Sequence, residues 1–489
     1  MSARLLSLCV VGAMAAGCDV EVPIGRHDAG ASLCDAGAQT VGPYRLDRAF
    51  GDCGRLVLDV GGVDNVDLGV QGLAVRPDGR VVLAGVAGST ANLDFLAVGL
   101  TSEGGLDPSF ATNGVGVFDL GATVDLAEAV VLEPDGKVVL AGVSKGLGPE
   151  RAAVLRLRAD GTVDTSFGDG GVQVSSDVTR RTLCNGVARL GDGRLRCGGH
   201  GFGSMGGAAD LEVFALELTG APERSFGIDG SARLTFSAGD EFGGALVADA
   251  RGRLLVPGTG WNGADFDFVL GRLLPDGSAD PGFGQQGRVS SDVASGDDGC
   301  QSVVVQPDGR VVCSGSATVA GTSSATLIRY LDDGRRDPTF GVQGAVRLDW
   351  GPGSSANGTL VLASGELVVV GKATGASGDS ALAVAVLEQG GNVKASQAFE
   401  LGAADEARAV VLAPSGDVLV FGALRGVGGN DLLVVRLTTR PEPPAGGVRL
   451  LVGPSCSSAG AGLSPLLLLA LWRFRPKSTR KSTEAAIHR

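Results

Sequence analysis

The phrase "PDGRVVLAG" at 77–85 returns as "PDGKVVLAG" at 134–142 and "PDGRVVCSG" at 307–315. Tracked by its turn glycine, it occurs seven times, at Gly79, Gly136, Gly193, Gly252, Gly309, Gly365 and Gly416, with spacings of 57, 57, 59, 57, 56 and 51 residues. A second marker keeps the same step. Phe110, Phe167, Phe226, Phe283 and Phe340 each close a short turn, Phe399 ends a decayed copy, and Phe50 opens the series. Two markers on one period exclude a string of unrelated domains and require a repeat array.

Each unit reads as four strands. In the second unit these are "GVGVFDL", "AEAVVLE", "KVVLAGV" and "AAVLRLR". Runs of Val, Leu and Ala of five to seven residues, bounded by Gly, Pro and Asp, are strands rather than helices. The tripeptide between second and third strands has a mechanism. Pro presets φ for a tight turn, Asp tolerates the next position, and Gly supplies the left-handed residue that closes the hairpin. Where Pro is lost, as in "GDG" at 191–193 and "ARG" at 250–252, Gly stays. Only Gly takes positive φ without cost.

The expected fold is all-β: a seven-bladed β-propeller of about 57-residue four-stranded repeats. The second strand of each unit is expected innermost, and the first strand completes the preceding blade. The ring would then close through the N-terminal strand 54–60 lying beside 431–437. A linear β-solenoid is the rival, but it needs capping units that the chain does not show. The 81 Gly and 44% hydrophobic residues suit many turns between short aliphatic strands. Units such as "AVVLEPDGKVVLAG" and "LRADGTVDTSFGDGGVQV" resemble the delta-60 repeat family of bacterial extracytoplasmic proteins. The resemblance covers roughly 46–437. It implies an exported propeller-like array and no particular chemistry.

The ends read as addresses. Residues 1–17, "MSARLLSLCVVGAMAAG", carry one Arg before an apolar run, the pattern of an export signal. "AAGC" resembles a bacterial lipobox, with Ala15 where Leu is usual, so Cys18 is the expected lipidation site. Cleavage after Ala15 is the alternative. Residues 18–45 read as a tether, 46–438 as the propeller and 439–455 as a linker. Residues 456–489 place Cys456, a small-residue spacer, an apolar stretch and Arg473, Arg475 and Lys477 in that order. This resembles the myxobacterial C-terminal sorting signal (the MYXO-CTERM type), with Cys456 as the processing site. Pro465 and the twelve residues after Lys477 depart from that pattern. The apolar stretch 459–472 would give about 21 Å of helix. A plain membrane anchor is the simpler reading. Either way the body is expected outside the cytoplasm, at the outer membrane or cell surface.

Six cysteines remain once Cys9, Cys18 and Cys456 are set aside. Cys184 and Cys300 lie nine residues before their turn glycine, and Cys197 and Cys313 lie four after it; no other unit carries either half. Their joint presence predicts the disulfides Cys184–Cys197 and Cys300–Cys313. Cys34–Cys53 follows by remainder. A tight hairpin would hold each matched pair about 10 Å apart along the strand. The segment before the second strand would therefore have to fold back.

Chemistry is sparse. "GVSKG" around Ser144 matches a nucleophile-elbow pattern, but it opens no helix and no His is placed to serve it. "GFGSMG" puts Gly201, Gly203 and Gly206 in a dinucleotide fingerprint, yet a strand follows where a helix is needed. His27 and His488 lie in the ends, leaving His200 in the body, where a loop role is expected. Asp64/Asp67, Asp265/Asp267 and Asp297/Asp298 place carboxylates near Gly-rich turns. They read as turn caps, with a structural calcium as the alternative and no other cofactor. Asp107, Asp164, Asp280 and Asp337 read as turn formers ahead of the Phe.

Net charge is −13, and residues 1–455 alone sum to −18, which excludes a basic nucleic-acid surface. The expected function is that of a tethered, monomeric, non-enzymatic propeller with a protein or glycan partner, or a structural protein of the envelope. A propeller lyase or hydrolase with a site at one channel mouth is the alternative. The third-to-fourth-strand loops vary most ("HGFGSMGGAAD", "TGWNGAD", "SKGLGPER"), and such variation marks a binding rim.

Overall fold

The computed structural model describes residues 39–441 except 60–71, 90–91, 147, 178, 204–206, 402–404 and 426–429. The described part is all-β, with no helix. Sheets follow one plan. Val124–Leu132, Val138–Lys145, Arg151–Leu157 and Val172–Val174 pair antiparallel in that order. The first three belong to the second unit, and the fourth opens the third unit. The same order holds for Asp298–Val305, Val311–Val319, Thr322–Tyr330 and Ala345–Arg347. In the last unit, Asp405–Leu412, Val418–Arg425 and Asn430–Thr438 are followed by Arg55–Leu58, with Arg55 opposite Val435 and Leu58 opposite Leu432. Strand content begins earlier than the propeller boundary at 46. Thr40–Val41 and Tyr44–Leu46 form a hairpin on Asn430–Thr438, with Val41 and Tyr44 buried, so these residues are not tether.

The hairpin chemistry is as the sequence implies. The Gly136 N–H donates to Glu133 O, the Glu133 N–H donates to Lys137 O, and Gly136 has φ +87°. The other six turn glycines have φ between +75° and +94°. The marker phenylalanines are sealed, Phe110 at 2% exposure and the rest at 0%. Five have a partner that the sequence did not announce. Arg156, Arg196, Arg272, Arg329 and Arg436 lie 4.3–4.7 Å over Phe167, Phe226, Phe283, Phe340 and Phe50. The same guanidiniums pair with Asp164, Glu223, Asp280, Asp337 and Asp47 at 2.6–3.0 Å. The turn carboxylates thus also neutralise a buried cation, which would otherwise be costly.

Apolar residues from neighbouring sheets interlock. Phe95 meets Leu140 and Leu155 between the first and second units. Phe421 and Val434 of the seventh unit pack with Leu83, Leu96 and Val98 of the first.

One irregularity recurs and governs local geometry. Register shifts by one residue between Ala127 and Ala129, Cys300 and Ser302, Ala356 and Gly358, and Ala407 and Ala409. The bulged residue always lies eight before the turn glycine. The carbonyl two residues before it presses on the strand opposite, at the glycine six after the turn. A Cβ on Gly142 would stand 1.8 Å from Leu126 O, and one on Gly315 would stand 1.8 Å from Gly299 O. The last letter of the repeated phrase is therefore as constrained as its turn.

The bulge also resolves the cysteine geometry. Cys300 lies opposite Gly315 and Cys313 opposite Val303, with the extra residue drawing Cys300 back toward Cys313. The Cα atoms stand 5.6 Å apart, and those of Cys184 and Cys197 stand 5.5 Å apart. Both pairs are in disulfide range. The expected separation of about 10 Å is corrected by the bulge, without a fold-back of the preceding segment. Cys53 is also bonded, and Cys34 lies outside the described residues.

Candidate functional site

The ends of the sheets differ. One end carries the Pro-Asp-Gly and Phe turns, which repeat and are structural. The opposite end carries the third-to-fourth-strand hairpins and the crossings to the next sheet, which do not repeat. In the third and fourth units this end gathers aromatic rings. Trp261 and Phe266 close the hairpin 261–266, with ring centroids 5.2 Å apart. Phe266 meets Phe242 at 6.0 Å, Phe242 meets His200 at 5.3 Å, and His200 meets Phe202 at 5.5 Å. All ring-to-ring contacts among the described residues belong to this one patch. Phe242 is 38% exposed. Arg181 lies 4.3 Å over Phe202 and pairs with Glu150, while Arg180 pairs with Glu212 at 2.7 Å.

A cleft of about 670 Å³ runs from this rim along the outer strand Arg288–Ser291. Trp261 and Asn262 line its upper part, and Gln285, Gln286, Arg288 and Ser290 its lower part. Amides, a guanidinium and a hydroxyl around an indole suit a neutral polar ligand with apolar faces.

His200 lies within the strand Leu195–Phe202, not in the loop expected for it. It is 8% exposed, and burial pushes its imidazole down to about 4. It is the packed centre of the patch. Ser144 lies within Val138–Lys145, 4% exposed and opposite Arg151, so no elbow forms. Gly201 is in a strand, the Gly203 N–H donates to Ala208 O across a hairpin, and Gly206 lies outside the described residues. Asp265 accepts from Asn262 Nδ2 at 2.6 Å within its own turn, whereas Asp297 accepts from the Phe266 N–H of the preceding unit's hairpin at 3.2 Å. Asp267 and Asp298 instead come together with Asp292. Cys18, Cys456, Asp64 and Asp67 lie outside the described residues.

Two of the repeats match a β-propeller family model. The model is described as a domain of unknown function (DUF5122) beta-propeller, and it covers residues 133–167 and 306–340. No curated protein matches the chain. Among solved structures, similarity extends to the polysaccharide lyase Uly1, at 10% identity over 65% or more of both chains (81% of this one and 93% of that one), with a TM-score of 0.46. Sqt1 of Chaetomium thermophilum bound to the N-terminus of ribosomal protein L10 is 13% identical over 74% of this chain and 95% of its own, with a TM-score of 0.43. A Bacteroides caccae protein of unknown function is 11% identical over 65% and 94%, with a TM-score of 0.35. These similarities say nothing of what this chain binds.

The aromatic patch was only partly legible in the sequence. Phe202 and Trp261 share a repeat position, nine after Gly193 and Gly252, whereas Phe242 and Phe266 occupy positions with no aromatic counterpart in other units. The paired cysteines suit an oxidising, extracytoplasmic setting. Among the described residues no helix is long and apolar enough to cross a membrane.

Proposed function

We propose that the chain is an exported, surface-tethered binding protein whose seven units close a propeller ring, and that its ligand is a glycan held at the rim of the third and fourth units. The ring reading rests on Arg55–Leu58 pairing with Asn430–Thr438 and on the packing of Phe421 and Val434 against the first unit. The export reading rests on the two terminal patterns, with Cys18 lipidated and Cys456 processed, and on the disulfides Cys184–Cys197 and Cys300–Cys313. Mass spectrometry of the mature membrane-bound protein tests it: an unmodified Cys18 would remove the lipid anchor.

One observation carries the ligand class. Aromatic contacts gather at one rim, beside a cleft walled by Trp261, Asn262, two Gln and Arg288. Indole faces stack on the apolar faces of sugar rings, and amides and guanidiniums fork onto paired hydroxyls. The cleft beside Trp261 is lined by amides, hydroxyls and guanidiniums with no carboxylate, imidazole or amine to serve as a general base, which supports binding over turnover. The test is equilibrium binding of the secreted protein to envelope polysaccharide fractions. Trp261→Ala should weaken binding at least about tenfold, the order of one lost anchor residue, while thermal unfolding stays near wild type. Binding unchanged in Trp261→Ala would refute the site. New reducing ends or unsaturated products from the polysaccharide would refute the non-enzymatic reading in favour of a lyase or hydrolase.

A further inference from the structure

Two acidic triads sit at the rim, outside the aromatic patch. Asp94, Asp119 and Asp125 each place a carboxylate oxygen within 4.8 Å of the others, and so do Asp267, Asp292 and Asp298. The triads are copies of one another. Asp94 and Asp267 lie fifteen residues after turn glycines Gly79 and Gly252. Asp119 and Asp292 lie seventeen residues before the next turn glycines, Gly136 and Gly309, and Asp125 and Asp298 lie eleven before them. Each triad therefore joins one sheet to the next, at the junctions of units one and two and of units four and five.

Two other junctions show that an uncharged oxygen suffices at the position of Asp125 and Asp298. Thr182 stands where Asp125 stands, and its Oγ1 accepts from the Ala152 N–H at 3.1 Å. Ser354 stands at the same place and accepts from the Ala325 N–H at 3.0 Å. A neutral hydroxyl holds the crossing there, while Glu241 and Asp405 stand at the same position before Gly252 and Gly416, both buried. A single carboxylate is thus also compatible with the crossing, and what sets the two triads apart among the described residues is the convergence of three. At the junction of units three and four, Asp210 pairs with Arg233 at 3.1 Å. In the two triads no Lys or Arg pairs with any of the six carboxylates among the described residues, and the negative charge has no counterpart.

One carboxylate in each triad is also incompletely bonded. Asp125 is fully buried, and its Oδ2 accepts from the Leu120 N–H at 2.9 Å while its Oδ1 has no hydrogen-bond partner. Asp267 is 6% exposed, and its Oδ2 accepts from Ser290 Oγ at 3.1 Å while its Oδ1 is left unpartnered. Buried orphan carboxylate oxygens are costly unless something positive completes them. Burial, and then the neighbouring carboxylates, push Asp94 above its usual range, and burial pushes Asp125, Asp267 and Asp298 up.

We propose that the chain binds two calcium ions, one at Asp94, Asp119 and Asp125 and one at Asp267, Asp292 and Asp298. Calcium takes all-oxygen sites with ligands at about 2.4 Å, so two oxygens on one ion lie at most about 4.8 Å apart. Three carboxylates at a crossing between sheets leave further positions for backbone carbonyls and water. Magnesium demands a smaller, near-octahedral shell and keeps its waters, so it fits a crossing shaped by loops less well. The ions would clamp two of the junctions from the rim, on either side of the proposed ligand patch.

The test is equilibrium dialysis of the purified full chain against radioactive calcium, with thermal unfolding in parallel. Two ions per chain are expected, with a midpoint rise of roughly 3 °C at saturating calcium that EGTA reverses and equimolar magnesium does not reproduce. Asp119→Asn and Asp292→Asn, both at exposed positions, should each leave one ion, and the double variant none. Asp125→Thr copies the third unit and keeps an oxygen for the crossing. It should remove one ion while the calcium-free melting midpoint stays put. No saturable binding at millimolar calcium would overturn the proposal, as would two ions retained by the double variant or equal affinity for magnesium.

Discussion

Gly142→Ala is expected to destabilise the protein severely, although the same change in an open strand would stabilise it by about 0.5–1 kcal/mol. Gly142 has no left-handed φ, so conformational strain does not enter. The cost is a collision. The added Cβ would lie 1.8 Å from Leu126 O, where contacts under 3.0 Å are not tolerated. The bulged strand must therefore retreat by more than an ångström. Overpacking of this kind costs about 1–3 kcal/mol, and the retreat breaks two ladder hydrogen bonds at about 1 kcal/mol each. The expected loss is about 3–5 kcal/mol. Equilibrium urea unfolding reads it, as a fall in midpoint with an unchanged slope. The units supply an internal scale. The same Cβ would stand 2.0 Å from Ser355 O at Gly371 and 2.5 Å from Phe242 O at Gly258. Losses should fall in the order Gly142, Gly371, Gly258. A loss below about 1 kcal/mol at Gly142, or a reversed order, would refute the account of the bulge.

Reduction of the two matched cysteine pairs should cost about 2–3 kcal/mol each, the order expected for a link of this span; both close a separation of 13 residues. Unfolding with and without dithiothreitol measures it, and equal midpoints would exclude the bonds. His200 should carry a pH signature. Its folded-state pKa of about 4 lies below the ordinary 6.5, so the folded protein binds fewer protons between those values. The contribution is complete above pH 6.5 and is lost as pH falls toward 4. His200→Asn should flatten that slope, and an imidazole that titrates near 6.5 by NMR would contradict its burial.

The strand plan was legible because it is written repeatedly. Period, turn glycine and buried Phe each recur, so one decayed copy is corrected by its neighbours. The pairing of Arg55–Leu58 with Asn430–Thr438 follows from counting strands at the two ends. The bulge was not legible, because no residue type announces it. Its position is held by Glu128, Asn185, Gly244, Gln301, Asn357 and Arg408 in successive units. The signal lay on the strand opposite, in Gly142, Gly199, Gly258, Gly315, Gly371 and Gly422, each six after its turn. A glycine kept in the middle of a strand marks a close approach of backbone. Missing it led to a separation of about 10 Å for cysteines that stand 5.5 and 5.6 Å apart.

Adjacency in sequence also misgroups the acidic residues. Asp297 and Asp298 are consecutive, so they face opposite ways where the strand begins, and Asp265 lies in the turn before the strand Phe266–Leu273 that holds Asp267. Asp265 bonds within its own turn and Asp297 accepts from the Phe266 N–H, while Asp267 and Asp298 meet Asp292 from the crossing. Comparing equivalent positions across units separates the two roles where reading along the chain cannot. Thr182 and Ser354 show that the crossing needs an oxygen, and Asp125, Glu241, Asp298 and Asp405 supply a charge at the same place. Of these four, Asp125 and Asp298 are the two that also meet two further carboxylates. In a repeat protein, a residue that every unit keeps serves the scaffold. A convergence of charge found at two junctions is where a ligand is to be sought.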